Sequence, residues 1–317
     1  MAENKVLNFT KASKVFFGIS LTIFLIGIIC NFIFGTQLDI QFSGGSYLSY
    51  SYVGELDKND LDDLIQVNTK MQVTTTVTSD VLSNTSNKSA YTIKVQFAGT
   101  KAITTEEQKS LTEALKKAYP DANFKVMESS AIESTMGFKF LMKCLTAVAI
   151  ASALMVLYVT IRFRRIGGLS AGVMALVALF HDIAMIYFMY VIFQMPIDSN
   201  FIAVVLMILG YSLNDTIVIY DRVREERRKL GSKTDIGYVF NYSATKVIKR
   251  TICTSITTLI AIGTVLVISI VFNISSVTSF ALPMMIGVVS GCYSSICIAG
   301  PLWVIWQNHK KKLEKAR

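Results

Sequence analysis

Charged residues are scarce in this 317-residue sequence. They make up 17% of the chain, whereas hydrophobic residues make up 52% and the mean hydropathy is +0.48. A soluble globular chain carries about 25% charged residues. Because about 20 helical residues cross the hydrocarbon core of a bilayer, long uncharged runs predict a polytopic membrane protein and exclude the soluble enzyme classes. Six such runs are present, at 16–34, 144–161, 167–193, 201–219, 251–272 and 280–306.

Cysteine is also rare, and segment 35–138 has none. The five cysteines all fall inside the predicted membrane spans, and no CxxC spacing occurs. We therefore predict neither a disulfide scaffold nor a metal site, and no cofactor. The outer end of the first apolar run has no small-residue cleavage signature, so this run is expected to be a retained membrane anchor.

Lysine and arginine are absent from the connections 194–200 and 273–279, whereas other connections are rich in them. This alternation follows the positive-inside rule, so we expect both termini in the cytoplasm and 35–138 outside the membrane. That segment has 9 Lys and 13 acidic residues, a net charge of −4. The overall net charge of +9 is therefore a topology signal and does not indicate nucleic-acid binding. Twenty of the 31 basic residues lie in 1–15, 162–165, 221–250 and 307–317.

Segment 35–138 alternates between strand and helix patterns. FSGGSYLSYSYV, VTTTVTSDVL, YTIKVQF and FKVMES predict strands, and KNDLDDLIQVNTK and TTEEQKSLTEALKKAYP predict helices. Their order, β-α-β-β-α-β, is that of a ferredoxin-like α+β domain. The predicted organisation is a cytoplasmic N-terminus (1–15), transmembrane helix 1 (16–34), the extracytoplasmic domain (35–138), transmembrane helices 2 to 4 (139–161, 167–193, 199–220), a basic cytoplasmic loop (221–249), transmembrane helices 5 and 6 (250–272, 280–306) and a basic cytoplasmic tail (307–317).

Two carboxylates lie within the apolar runs. Asp182, preceded by His181, is near the middle of the third run, and Asp215 lies in the fourth. A charged side chain at the centre of a membrane helix costs about 2.5–3.5 kcal/mol and usually faces a bundle interior or a water-filled cavity. Neither run contains Lys or Arg, so we expect partners from other helices or from water. For His181 and Asp182, a purely structural interhelical role stays open.

The fifth run begins with a cation followed by hydroxyls. Arg250, Thr254, Thr257 and Thr258 lie on one helix face. The fourth helix ends in the leaflet where the fifth begins, so Asp215 and Arg250 can meet at a similar depth. A buried carboxylate opposite a guanidinium can gain and lose a proton when helices shift or water enters. One charge crossing 100 mV supplies about 2.3 kcal/mol, which suits an ion relay.

Three other functions fit parts of this pattern. In a passive assembly subunit the buried charges would only hold helices together, and Arg250 would be a snorkelling anchor. An intramembrane aspartyl protease would use Asp182 and Asp215, but the Tyr-Asp and Gly-x-Gly-Asp contexts of that class are absent. A small-molecule efflux protein would usually carry two six-helix halves and two large exported loops.

Four segments of the chain resemble the SecF family of protein-export membrane proteins. They are LDIQFSGGS (38–46), FHDI (180–183), GYSLNDTIVIYDRVREERRK (210–229) and RTICTSITTL (250–259). The resemblance covers nearly the whole chain in order. It implies one six-helix half of a resistance-nodulation-division bundle, located in the bacterial cytoplasmic membrane.

The same resemblance implies partners and site residues. SecD would supply the other half, and the SecYEG channel, with SecA acting upstream, would deliver the translocating polypeptide. The coupling ion would be H⁺ or Na⁺. Asp215 matches the ion-carrying carboxylate and Arg250 its cationic partner, with Asn214 and Thr216 flanking the carboxylate. Asp182 matches the family's His-Asp element, whose role is less defined.

Overall fold

The computed structural model describes residues 6–54, 56–69, 73–80, 90–98, 103–132, 134–231, 234–272 and 274–316. Two short 3-10 turns, Pro120–Ala122 and Arg164–Ile166, and a π-helical segment, Ser295–Ala299, accompany the longer elements. In chain order the α-helices and β-strands are α1 (Phe9–Phe34), α2 (Ile40–Ser43), β1 (Gly45–Val53), α3 (Lys58–Thr69), β2 (Val73–Asp80), β3 (Ala90–Ala98), α4 (Thr105–Ala118), β4 (Lys125–Ile132), α5 (Ser134–Arg162), α6 (Gly168–Ile192), α7 (Ser199–Leu230), α8 (Ile236–Val271), α9 (Ser275–Ser294) and α10 (Gly300–Ala316).

Within the described residues, six helical stretches are long and apolar enough to cross a membrane. The last crossing, Ser276–Glu314, combines α9, the π-helical segment and α10. α6 and α7 are largely buried, as is this last crossing, whereas α1, α5 and α8 expose large apolar side chains on the outside of the bundle. This arrangement is that of a multi-pass helical membrane protein.

The segment 221–249, for which a cytoplasmic loop is predicted, is helical over most of its described length. α7 continues to Leu230 and α8 begins at Ile236. The buried carboxylate of Glu226 explains this extension, because it pairs with Arg222 of its own helix at 2.8 Å and with Lys246 of α8 at 3.0 Å. These pairs join the two helices beyond their apolar parts.

The four strands form one antiparallel sheet in the order β2-β3-β1-β4. With α3 and α4 they follow the predicted order β-α-β-β-α-β. The last two residues of the predicted second strand, 81–82, lie outside the described residues. The apolar core of this sheet-and-helix unit is Leu48, Tyr50, Tyr52, Leu61, Ile65, Ile93, Val95, Phe97, Leu111, Leu115, Ala122 and Phe124.

A short junction ties the sheet to the membrane helices. Leu38 forms a parallel bridge with Ile197 in the connection between α6 and α7. Next to it, the buried carboxylate of Asp39 accepts a 2.8 Å hydrogen bond from Nε2 of Gln96 in β3. Gly45 begins β1 with a φ of +138°, and a Cβ there would lie 2.2 Å from the carbonyl oxygen of Phe97. Only glycine fits this turn from α2 into the sheet.

Candidate functional site

Asp182 is completely buried at the centre of the bundle. Its carboxylate accepts hydrogen bonds from three serine hydroxyls on two other helices. Ser290 of α9 binds Oδ1 at 2.6 Å, while Ser212 of α7 and Ser294 of α9 bind Oδ2 at 2.7 and 2.8 Å. Both carboxylate oxygens are therefore occupied, and Asp182 holds α6, α7 and α9 together.

His181 extends this polar cluster towards α1. Its Nδ1 lies 3.3 Å from Oδ1 of Asp182, and its Nε2 lies 3.1 Å from Oγ of Ser20. Ser20 also hydrogen-bonds to the hydroxyl of Tyr293 at 3.2 Å. The Tyr293 hydroxyl in turn donates to the carbonyl of Phe16 at 2.7 Å. A row of hydrogen-bonding groups thus runs from α1 to Asp182.

Asp215 lies on α7, one turn after Ser212, and is only 3% exposed. Within the described part of the chain, its Oδ2 has no hydrogen-bond partner. The carboxylate interacts electrostatically with Arg250 of α8 and with Cys292 of α9. No ion pair within 4.0 Å joins Asp215 to Arg250, although both residues are described. A buried carboxylate without a close partner costs several kcal/mol when charged, so this position favours binding of a cation.

Hydroxyls connect the turn that carries Asp215 to the π-helical segment. Thr216 donates to the carbonyl of Ser212 at 3.2 Å and to Oγ of Ser295 at 3.0 Å. Ser295, the first residue of the π-helical segment, also donates to the carbonyl of Ser212 at 3.1 Å. Single turns of π-helix are frequent at functional sites because they alter the local hydrogen-bond ladder.

Arg250 lies in a cleft between α7 and α8. Its side chain is exposed and lines a cavity of about 440 Å³ together with Arg222, Arg224 and Arg228. Asp221 and Glu225 supply negative charge on the same wall. Arg250, which interacts electrostatically with Asp215, therefore shares this cleft with the charged side chains at the end of α7.

The predicted hydroxyl face of α8 is turned away from the bundle centre. Thr257 is exposed, and Thr254 and Thr258 are half-buried. Their hydroxyls donate to carbonyls of the same helix, at 2.9 Å in each case. Asn214 on α7 is also exposed, so it does not join Asp215 inside this chain.

Among the inward-facing hydroxyls of α8 are those of Thr251 and Ser255, which are 1% and 5% exposed. Ser255 accepts a 3.2 Å hydrogen bond from Tyr211 of α7 and also bonds Cys292. Sequence reasoning missed these two residues and the serines around Asp182. The four-residue spacing of Thr251 and Ser255, and of Ser290 and Ser294, is a helical signal that could have identified both sets.

The two buried carboxylates have different surroundings. An aspartic protease needs two carboxylates that share a proton at about 3 Å. Here serine hydroxyls donate hydrogen bonds to both carboxylate oxygens of Asp182, whereas Asp215 interacts electrostatically with Arg250. The described residues contain no group of three or more His, Cys, Asp or Glu that could hold a metal ion.

Comparison with known proteins identifies the family. Residues 110–309 match the family described as protein export membrane protein SecD/SecF, C-terminal. The protein translocase subunit SecF of Sebaldella termitidis is 33% identical over 311 residues, which are 96% of this chain and 93% of that protein. This chain belongs to the SecF family. The SecF of Borreliella burgdorferi is 32% identical over 94% of this chain.

Longer relatives contain a SecF-like part. The SecDF of Bacillus subtilis is 30% identical over 98% of this chain, which spans 39% of that protein. The crystal structure of SecDF, a translocon-associated membrane protein, from Thermus thermophilus has the same fold over 97% of this chain. Its TM-score is 0.76 at 24% identity, and this chain spans 40% of it. SecF-family proteins are accessory translocase subunits, not enzymes, which removes the protease alternative.

Proposed function

We propose that this SecF-family subunit uses a transmembrane gradient of H⁺ or Na⁺ to assist export of polypeptides across the cytoplasmic membrane. Asp215 binds and releases the ion, and Arg250 attracts the carboxylate when the ion has left. Asn214 and Thr216 flank the carboxylate, and Thr254, Thr257 and Thr258 follow Arg250 along α8. Asp182 holds the helices on which this exchange occurs.

One observation carries the proposal: a buried carboxylate oxygen of Asp215 without a hydrogen-bond partner among the described residues. Asp182, in contrast, already accepts hydrogen bonds from three serine hydroxyls. Asp215 has a vacant acceptor and a cation on the next helix that is near but not in contact. Small movements of α8 relative to α7 would change the balance between the bound ion and Arg250.

The assembly follows from the same family relationship. We propose that SecD supplies a complementary six-helix half of a resistance-nodulation-division bundle. SecDF relatives of which this chain covers 39–40% support that partner. The sheet and its two helices form a ferredoxin-like domain outside the membrane, with both termini in the cytoplasm, as the basic connections indicate. SecYEG, with SecA upstream, supplies the moving polypeptide.

Translocation into inverted membrane vesicles tests the ion-coupling role. Asp215→Asn keeps the size of the side chain but cannot release a proton. We expect normal expression and partner binding, with loss of the part of export that a gradient stimulates. An ionophore selective for the coupling cation should abolish the same part in wild type and have no effect on the variant.

Asp235→Asn is the matched control, because Asp235 is exposed, caps α8 and does not line the cleft that contains Arg250. It should retain gradient-stimulated export. Undiminished stimulation in Asp215→Asn would overturn the ion-coupling role. Loss of stimulation with either selective ionophore identifies the ion.

A passive assembly subunit is the second candidate. The three hydrogen bonds that Asp182 accepts from two other helices favour it, because they are what a structural tie requires. The combined change Asp215→Arg with Arg250→Asp separates the candidates. A passive pair would still attract after the exchange and would keep export, whereas an ion carrier would lose it with assembly intact.

A further inference from the structure

An apolar groove runs between α6 and α10, away from the two buried carboxylates. Its volume is about 480 Å³, within the range of about 300–1,000 Å³ that is typical of ligand cavities. Met174 of α6 and Ile305, Trp306 and Leu313 of α10 provide apolar walls. Three of these are large exposed hydrophobic side chains, namely Ile305, Trp306 and Leu313. The groove therefore opens to the surface of the bundle, where it meets the bilayer.

Two basic side chains line this groove towards the C-terminal end of α10, between Trp306 and Leu313. His309 and Lys310 line it, and both are exposed. The ammonium of Lys310 lies 3.9 Å from the carboxylate of Glu314, with both side chains about two-thirds exposed. An exposed pair of this kind contributes little, so Lys310 remains available to a stronger anion.

A second basic group is held beside the same end of α10. Nε2 of Gln307 donates to the carbonyl of Ile166 at 3.2 Å and to Oγ of Ser170 at 2.7 Å. The exposed side chains of Arg164 and Arg165 come directly before Ile166. Lys310 lies three residues after Gln307, less than one helical turn away. The turn that carries Arg164 and Arg165 is therefore anchored to α10 about one helical turn from Lys310.

We propose that this groove binds one anionic phospholipid. An acyl chain lies along the apolar walls, and Lys310 binds the phosphate, with Arg164 and Arg165 adding positive charge. Basic pockets between transmembrane helices are typical sites for anionic lipid head groups. Trp306 is half-exposed and is the last residue of the apolar run 280–306, and aromatic side chains are enriched at such membrane interfaces. A zwitterionic lipid would fill the same groove without satisfying the charges.

A bound lipid would strengthen the contact between α6 and α10. α6 carries His181 and Asp182, so the lipid would act on the stability of the helix that holds the buried cluster. The site goes beyond the proposed ion coupling and does not depend on it. A protein that binds the lipid but shows no gradient-stimulated export would contradict only the proposed function.

Native mass spectrometry of the purified full chain tests the lipid site. The probes are phosphatidylglycerol and phosphatidylcholine with identical acyl chains. We expect wild type to retain one phosphatidylglycerol in preference to phosphatidylcholine. Lys310→Gln should lower this retention about fivefold, the change expected from about 1 kcal/mol per basic residue. Ile305→Trp should fill the groove and lower retention of both lipids.

Lys312→Gln is the matched control, because Lys312 is exposed on the same helix but does not line the groove. It should keep the lipid, and glycerol phosphate alone should not displace it. Equal retention of the two lipids would overturn the proposal, as would an equal loss in Lys310→Gln and Lys312→Gln. The circular dichroism of each variant should match wild type, because all three substituted residues are exposed.

Discussion

Ser212 of α7 donates a 2.7 Å hydrogen bond to Oδ2 of Asp182 in α6. Asp215 follows three residues later on the same helix, and its own Oδ2 has no partner among the described residues. A single turn of α7 therefore contains both Ser212, which binds the buried carboxylate of Asp182, and Asp215, the other buried carboxylate. If α7 moved and changed the surroundings of Asp215, either the Ser212–Asp182 hydrogen bond would lengthen or α6 would move with α7.

Removing the carboxylate of Asp182 should destabilise the bundle. In Asp182→Ala, three buried serine hydroxyls lose their acceptor. Interhelical hydrogen bonds in membrane proteins average about 0.6 kcal/mol, so we expect a loss of about 2 kcal/mol. Asp182→Asn keeps one acceptor oxygen and should lose about half as much. Thermal unfolding in detergent measures both, and an unchanged midpoint in Asp182→Ala would contradict the structural role.

Asp198 should make stability depend on pH. It caps α7 just outside the membrane, where burial raises the pKa of its carboxyl and the charge of Asp39 raises it further. Because this pKa is higher in the folded chain, the associated stability is present below the ordinary pKa of an aspartate and is lost as pH rises through the raised value. Asp198→Asn can still cap the helix without the charge. Its advantage over wild type should grow between about pH 4 and pH 8.

The measurement for Asp198→Asn is the unfolding midpoint in detergent across this pH series. Asp235→Asn is the matched control, because Asp235 caps α8 in the same way but is exposed. A constant difference between Asp198→Asn and wild type at every pH would show that the carboxylate does not carry the effect. The difference in unfolding midpoint would then come only from changing the residue that caps the helix.

Two glycines should respond in opposite ways to alanine. A Cβ on Gly168 would lie 2.1 Å from the carbonyl oxygen of Thr160, and backbone cannot move aside cheaply. Gly168→Ala should therefore cost about 1–3 kcal/mol by overpacking. Gly210 has open space around its Cβ position, so Gly210→Ala should stabilise the isolated chain by up to about 1 kcal/mol. Unfolding of the two variants side by side checks the packing of α5 against α6.

The junction between the sheet and the membrane helices should depend on Gln96. Gln96→Leu keeps a similar volume but leaves Oδ2 of the buried Asp39 without its 2.8 Å donor. An unsatisfied buried acceptor costs about 1–3 kcal/mol. Hydrogen exchange should rise in β3 and at the junction, while exchange in α6 and α7 stays unchanged. Gln66→Leu on the exposed face of α3 is the control, and faster exchange in both variants would contradict a specific junction role.

Much of the architecture was predictable because it rests on local patterns. Uncharged runs mark the six crossings, and the alternation in 35–138 yields the observed order of strands and helices. α4 begins with a Thr104–Glu107 capping box, whose Thr-x-x-Glu spacing is a local sequence motif. The pairing that joins α7 to α8 beyond the apolar runs was not predictable in this way, because Glu226 and Lys246 lie on different helices.

Hydropathy and charge are local properties, and they were enough to predict six membrane crossings with Asp182 and Asp215 inside them. Which of the two carboxylates is satisfied depends on how the helices pack. Ser212, Ser290 and Ser294 reach Asp182 from separate helices, and Thr251 and Ser255, instead of Thr254 and Thr257, face the interior. The rotation of each helix about its axis is set by packing against its neighbours, and an almost uniformly apolar helix carries no strong pattern that encodes it.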